Sequence, residues 1–276
     1  MSVLNDIKLK AKELLEKGDV DVVIGYAKGT LNGKCTPYFV RNANDVENLV
    51  WENGCDINLA NYLLKISDKA AVIAKGCDTR SIVNLVKENQ LDRERVVIIG
   101  ASCPSTESCQ KCNHPDPVIA DVFLQGETKV NNDDFSDLES FSKLPSEERR
   151  NYIYKEVSKC IRCYACRNVC PACYCKECFV EENLPAWIGK TTNTSDNMIF
   201  HLTRAIHVAG RCVGCGECVR ACPMGVDLSI LNRKIMKDVK ELFNVESGLD
   251  LDTKLPLNDY KEDDPQYFLI GGEKCE

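Results

Sequence analysis

Aromatic residues make up only 7% of this 276-residue chain, and it holds three histidines. No aromatic-rich platform for nucleic acid is visible. A net charge of −7 removes the basis for non-specific nucleic-acid binding and leaves no membrane-surface patch. No run approaches the roughly 18–20 apolar residues of a membrane span. Residues 1–17 are charged and amphipathic, where a secretory signal needs an unbroken apolar core of roughly 7–15 residues. There is no P-loop, no convincing Gly-x-Gly-x-x-Gly, no His-Glu-x-x-His and no Ser/His/Asp grammar; Gly271-Gly272 stands alone. Any net chemistry must therefore come from a cofactor.

Cysteine is abundant instead, with eighteen residues. In a short secreted chain this would signal a disulfide scaffold; at this length, without a signal segment, it predicts reduced cytosolic thiols, many of them metal ligands, in an anaerobic cell. Two runs repeat one grammar: Cys160-x-x-Cys163-x-x-Cys166-x-x-x-Cys170-Pro171 and Cys212-x-x-Cys215-x-x-Cys218-x-x-x-Cys222-Pro223. Three thiolates at this spacing wrap a [4Fe-4S] cube, and the fourth cysteine, before proline, reaches the other cube. The expected ligand sets are Cys160, Cys163, Cys166 and Cys222 for one cluster, and Cys212, Cys215, Cys218 and Cys170 for the other. The pattern resembles that of bacterial dicluster ferredoxins. A cube with four thiolates carries a charge of roughly −2, costly to bury without positive neighbours. Lys159, Arg162, Arg167, Arg211 and Arg220 beside the loops are expected to offset it, unless some are merely solvated.

Upstream, apolar residues at Val3, Leu4, Ile7, Ala11, Leu14 and Leu15 predict a helix stopped by Gly18. Residues 20–24, 70–74 and 96–99 read as buried strands, residues 42–51 and 57–66 as short helices, and the stretch around Ile82, Val83, Leu85 and Val86 as a helix. Alternation of strands and helices predicts an α/β N-terminal domain with a mainly parallel sheet, followed by an α-rich dicluster ferredoxin-like domain. The expected bounds are 1–125 for the α/β domain, 126–146 for an acidic linker, 147–243 for the cluster domain and 244–276 for an acidic tail. The tail holds nine acidic residues against three lysines. It either wraps the body or a partner through residues 267–270 or is a solvated end. Ser146 is expected to cap a helix running to Ser158. Residues 196–209 should form a helix with Ile199, Leu202 and Ile206 inward and His201, Arg204 and His207 on its other faces. Those histidines either tune a cluster, move protons or sit on a solvated face. A final helix over 226–243 should bury Leu228, Leu231, Ile235, Val239 and Leu242.

In an open parallel sheet the loops gather beyond the carboxyl ends of the strands. Cys77 and Cys103 follow two of those strands and should share an edge, with Cys35 able to join them. Cys77 also opens a helix, where the dipole favours a thiolate. Cys103, Cys109 and Cys112, beside Lys111 and His114, would hold with Cys77 a third iron–sulfur cluster or a zinc ion, or else pack as buried thiols. Cys173, Cys175 and Cys178 offer alternative ligands, a further metal site, a partner contact or plain packing. Cys55 and Cys275 read as packing.

The N-terminal Lys75-Gly76-Cys77-Asp78, Ile99-Gly100 and Cys103…Lys111-Cys112 motifs resemble the beta-subunit family of coenzyme F420-reducing hydrogenases and F420-linked formate dehydrogenases. The run from Cys170 to Cys178 resembles iron–sulfur subunits of that family and of heterodisulfide reductase systems. The resemblance spans roughly residues 19–243. In the F420-reducing members the ferredoxin segment usually precedes the flavin domain, whereas here it follows. The resemblance implies an electron-transfer subunit of a hydrogenase, formate dehydrogenase or heterodisulfide-reductase-like complex, with a flavoprotein partner or its own FAD. Two rivals remain: an oxidoreductase with a flavin or third cluster in the N-terminal domain, and a zinc-stabilised interaction scaffold.

Overall fold

The computed structural model describes residues 2–104, 109, 111–128, 130–131, 133 and 135–256. Helix α1 (Val3–Glu16) begins at Ser2, whose hydroxyl accepts the Asn5 N–H, and it buries Ile7, Ala11 and Leu14 at helical spacing. Strands β1 (Val22–Lys28) and β2 (Cys35–Val40) pair antiparallel. After the short α2 (Ala60–Leu63) come β3 (Ala70–Ala74), α3 (Gly76–Lys87), β4 (Val96–Ala101) and β5 (Val122–Leu124). The strand order is β2-β1-β3-β4-β5, and every pair except β1–β2 is parallel. This is the α/β domain with a mainly parallel sheet that the alternation implied.

Side chains alternate across the sheet because successive residues of a strand face opposite ways. Val22, Ile24, Ala70, Val72, Ala74 and Ile98 pack with Ile82 and Leu85 of α3. Val23, Ala71, Ile73, Ile99 and Ala101 pack with Ile7, Ala11 and Leu14 of α1. Each such Val, Leu or Ile, fully buried, contributes about 1.5–3 kcal/mol. The sheet thus sits between two helical layers. Strand β2 escaped the sequence pattern because Pro37 interrupts it, and it lies at the sheet edge, where a missing N–H is tolerated. Residues 43–48 form a 3-10 turn, and only Ala60–Leu63 of residues 57–66 is α-helical.

The C-terminal region is helical: α4 (Ser136–Ser142), α5 (Ser146–Ser158), α6 (Ala165–Asn168), α7 (Thr194–His207), α8 (Glu217–Arg220) and α9 (Ser229–Phe243). Three expectations need correction. The stretch read as a linker carries α4, with Leu138 buried, because its acids have partners on α9. Arg233 donates to Asp133 at 2.9 Å and to Asp137 at 2.7 Å, and Lys237 pairs with Glu139 at 3.1 Å. Second, α7 is turned the other way. It buries Asn197, Phe200, His201, Arg204 and Ala205, and leaves Ile199, Leu202 and Ile206 exposed. Third, α9 buries Asn232, Arg233 and Val239, while Leu242 is 75% exposed. The inward faces of α7 and α9 meet cysteine sulfurs and backbone carbonyls, which call for donors rather than methyl groups. Ser146 is the first residue of α5 and makes no capping bond; Pro145 takes the cap position.

A polar seam joins the two parts along α3. Asn84 donates to Arg211 O at 2.9 Å, Asn61 to Asn168 O at 2.9 Å, and the Asn58 N–H to Glu217 at 3.2 Å. The start of the acidic tail returns to α3. Arg80 donates through Nη2 to Ser247 O at 2.7 Å and through Nη1 to Val213 O at 3.3 Å, while His114 Nε2 lies 2.5 Å from Glu246. The 267–270 stretch and Cys275 lie outside the described residues. Among the described residues no helix is long and apolar enough to cross a membrane.

Candidate functional site

The two cysteine runs share one backbone shape. In the second loop Gly214 and Gly216 take left-handed conformations at φ +71°. In the first loop Arg162 (φ +58°) and Tyr164 (φ +60°) stand at the matching positions. A left-handed backbone is costly for Arg and Tyr, so the loop is held by its surroundings. Arg162 is buried and donates to Asp196 O at 2.9 Å and Gly189 O at 3.3 Å. Its guanidinium lies 4.9 Å from the centre of the Phe200 ring. Each loop then enters a one-turn helix, α6 or α8, that carries its third cysteine.

The loops are crossed. Burial raises the Cys160 thiol, and Cys222 and Cys163 beside it raise it further, against the Arg162 N–H that holds it down. Burial pushes Cys212 up to about 12, with Cys170 and Cys218 as its electrostatic neighbours. Cys215 is raised by burial and by Cys170 in the same way. Cys170, Cys212, Cys215 and Cys218 all line one cavity of about 80 Å³. The structure therefore brings each fourth cysteine to the opposite loop.

Donors point at these sulfurs. The Arg162 N–H lies 3.3 Å from Cys160 Sγ, the Val226 N–H 3.4 Å from Cys222 Sγ, and Asn232 Nδ2 3.2 Å from Cys218 Sγ. Arg204 is buried among Cys170, Cys218, Cys173 and Cys166 and donates to Cys166 O at 3.0 Å. Burial opposes its charge, but the surrounding thiols hold it protonated. Its Nε is buried without a hydrogen-bond partner. Converging thiols, N–H donors and a guanidinium fit an anionic thiolate-ligated group. Among the described residues no three such ligands converge on one point as a mononuclear ion requires; Cys170, Cys212, Cys215 and Cys218 stand instead around a cavity wall, while Cys160, Cys166 and Cys222 sit in the C-terminal apolar cluster.

Sequence reasoning put Arg204 on an outer face. The signal was present, because Asn197, His201 and Arg204 recur at i, i+4 and i+7, a polar stripe as regular as the apolar one. Most of the cations that were singled out have carboxylate partners: Lys159 with Glu156 at 2.6 Å, Arg167 with Glu181 at 3.0 Å, Arg220 with Glu217 at 3.1 Å, and Arg211 with Glu88. His201 is no solvated-face residue. Burial, then Arg204 and Arg162, lower it to about 4, so it is neutral near pH 7. His207 packs edge-on against Phe179.

A larger cavity, about 480 Å³, lies between the carboxyl edge of the sheet and the second loop. Cys77, Cys103, Cys109 and Cys112 line it, and Cys212 and Cys215 form its other wall. Arg80, Lys111, Arg220, Arg233 and Lys240 line it against Asp133 and Glu246, a net positive lining in which the first four cations are each paired with a carboxylate. Cys35 reaches the same edge of the sheet, opposite Lys28, but does not line the cavity. At the foot of the cavity Lys75 is fully buried. Its Nζ donates to Asp78 at 3.0 Å, to Ile57 O at 2.6 Å and to the Tyr26 hydroxyl. Burial disfavours the Lys75 charge, but Asp78, Tyr26, Cys77 and Cys103 together outweigh it and keep the lysine protonated. Asp78 also accepts the N–H groups of Lys75 at 2.9 Å and Leu59 at 2.8 Å, so both charges are held by fixed partners.

Of the three additional cysteines, Cys173 donates its N–H to Cys170 O at 3.0 Å and adjoins Arg204 and Cys166. Cys178 packs at the edge of the C-terminal core beside Arg167, and Cys175 is exposed.

Residues 156–226 match the family model of the 4Fe-4S dicluster domain. The C-terminal part is a 4Fe-4S dicluster domain. Along most of its length the chain is also formate-dehydrogenase-beta-like. The F420-dependent formate dehydrogenase subunit beta of Methanocaldococcus jannaschii is 23% identical over 343 aligned positions, covering 87% of this chain and 90% of that protein. The subunit beta of F420-dependent formate dehydrogenase 1 of Methanococcus maripaludis is 23% identical over 347 positions, covering 87% and 89%. The likeness therefore extends beyond the dicluster domain into the sheet domain that carries Cys77 and Cys103.

Proposed function

We propose that this chain is the iron–sulfur electron-transfer subunit of a cytoplasmic redox complex of formate dehydrogenase type. One [4Fe-4S] cluster is held by Cys160, Cys163, Cys166 and Cys222, and a second by Cys212, Cys215, Cys218 and Cys170. The observation that supports this most is the crossing: the fourth cysteine of each run lies beside the other run's loop, and Cys170 lines one small cavity with Cys212, Cys215 and Cys218. When bound, such clusters supply one-electron acceptance and release. The chain's own residues bury Cys166 and Cys218 and half-bury the other ligands except the exposed Cys163, donate N–H groups to their sulfurs and offset their charge through Arg204. A hydrogenase or heterodisulfide-reductase-like complex is the alternative setting for the same relay, with a flavoprotein as the natural partner.

A third [4Fe-4S] cluster in the larger cavity, on Cys77, Cys103, Cys109 and Cys112, extends the relay into the sheet domain. Four thiols around one cationic cavity, with Cys215 across from Cys77, support it. The cavity's volume and cations also suit a flavin nucleotide such as FAD; a zinc ion is the occupant that the ligand geometry supports least.

The test is iron, acid-labile sulfide, zinc and released flavin per chain on anaerobically purified protein. About eight iron and eight sulfide are expected from the dicluster domain alone, and about twelve with the third cluster. Eight with one flavin would give the cavity to FAD. A colourless chain holding zinc alone would overturn the relay and favour an interaction scaffold.

A further inference from the structure

Two cysteines belong to none of these sets, yet they touch. Cys55 Sγ donates to Cys35 Sγ at 3.2 Å; Cys55 is fully buried and Cys35 is 6% exposed. The contact is held by the backbone. The Cys35 N–H bonds to Gly54 O at 3.3 Å, which makes residues 35 and 55 near neighbours across the two segments. Gly54 adopts φ +101°, and a Cβ there would meet Gly33 O at 2.3 Å, so this approach requires glycine. A disulfide needs the sulfurs to close by only about 1 Å more.

The pair also adjoins the proposed relay. The next residue, Asp56, accepts Arg220 Nη2 at 2.7 Å through its carbonyl, and the same Nη2 donates to Cys215 O at 2.9 Å. Two hydrogen bonds therefore link the carbonyl of Asp56, one residue beyond Cys55, to the carbonyl of a proposed cluster ligand. External thiols have poor access. Burial raises both thiols, and thiol exchange proceeds through an accessible thiolate.

We propose that Cys35 and Cys55 form a redox-active dithiol/disulfide pair, a two-electron site that exchanges electrons with the one-electron [4Fe-4S] centres of the same chain. The inference rests on the relay reading above. On reduction the Cys35–Cys55 S–S bond breaks. Two electrons arrive one at a time from two reduced [4Fe-4S] centres, each of which returns to its oxidised level. Two protons come from solvent at the Cys35 end, where the neighbouring Lys34 is half exposed. Oxidation reverses each of these. The pair gives a one-electron relay a place to collect electrons in twos.

The test uses the full cluster-loaded chain under anaerobic conditions, poised with dithionite or with the one-electron oxidant ferricyanide. Samples are acid-quenched, denatured, alkylated and mapped by peptide mass spectrometry. The expected result is a Cys35–Cys55 linked peptide in the oxidised sample that disappears on reduction. In coulometric titration the wild type should take up two electrons per chain more than Cys35→Ala. Cys55→Ala checks the same difference if Cys35→Ala folds poorly, and the mapping needs no variant. No linked peptide, or equal electron counts, overturns the inference. Iron, sulfide and visible absorbance on the same samples report the relay separately. Clusters present with equal counts sinks the dithiol and leaves the relay standing. A linked peptide that forms and breaks equally well in a chain without clusters overturns the exchange between them.

Discussion

The sheet domain buries Val22, Ile24, Val72, Ile73, Ile98 and Ile99 completely, with aliphatic neighbours on both faces. The dicluster domain buries Asn197, His201, Arg204, Asn232 and Arg233, with Phe200 its largest fully buried apolar side chain. One interior is held by area removed from water, which needs no partner outside the chain. The other is a set of donors and cations facing sulfur. Without the clusters it would hold Arg204 desolvated beside a smaller apolar cluster of Val180, Ile188, Phe200, Val226 and Leu228, so metal binding should supply much of its folding energy. The two halves of one chain should therefore respond differently to the same insult.

The largest expected difference follows from cluster loss. Cys215→Ser, or iron removal by a chelator, should abolish protection of residues 147–243 from proteolysis while a fragment near 1–125 survives. Full iron content and an unchanged digest would show that the second ligand set is wrong. Next, Lys75→Met should destabilise the sheet domain by about 3–5 kcal/mol, because it leaves the buried Asp78 carboxylate unpaired. Ile98→Ala should cost about 2–5 kcal/mol through the cavity it opens. Both are read as a shift of the denaturant midpoint of the sheet domain, with iron content kept. A smaller effect is expected of Arg204→Met, which removes positive charge among the thiols and should move a cluster midpoint to lower potential; Arg204→Lys should restore most of it. Equal potentials for both would make Arg204 a packing residue only.

The smallest effect belongs to the tail contact. His114 first, then Arg80, hold Glu246 down to about 2 despite partial burial. A carboxyl whose folded pKa lies below its ordinary value of 4.5 lends stability that is fully present above pH 4.5 and is lost as the pH falls toward 2. Glu246→Gln should remove that dependence, cost about 1 kcal/mol or less, and speed hydrogen exchange at residues 245–248. Unchanged exchange would mean that Arg80 to Ser247 O holds the segment alone.

How far the sequence was readable follows from the same contrast. Strands β3 and β4 were legible because short β-branched and alanine runs bounded by glycine have few other uses. The two cysteine runs stood out by spacing alone. Strand β5 has three residues, too few for a period, and β2 carries a proline. The orientation of α7 was misread because burial was assumed to follow hydrophobicity, whereas Asn197, His201 and Arg204 are drawn inward by carbonyls and thiols. Helix α4 was hidden in an acidic stretch whose partners, Arg233 and Lys237, stand about a hundred positions away. No local pattern marks the meeting of Cys35 with Cys55, since a twenty-residue excursion separates them.

One further consequence concerns the order in which the molecule is made. Part of the wall of the larger cavity comes from Val245, Glu246 and Ser247, and the facing wall from the Cys212–Cys215 loop. A ribosome releases Cys77, Cys103, Cys109 and Cys112 long before either wall exists. During that interval the four thiols stand at the edge of the sheet without either wall. The grip of Arg80 on Ser247 then narrows that edge from the far end of the chain. A chain ending before residue 245 should therefore expose these four thiols to alkylation more than the full chain does.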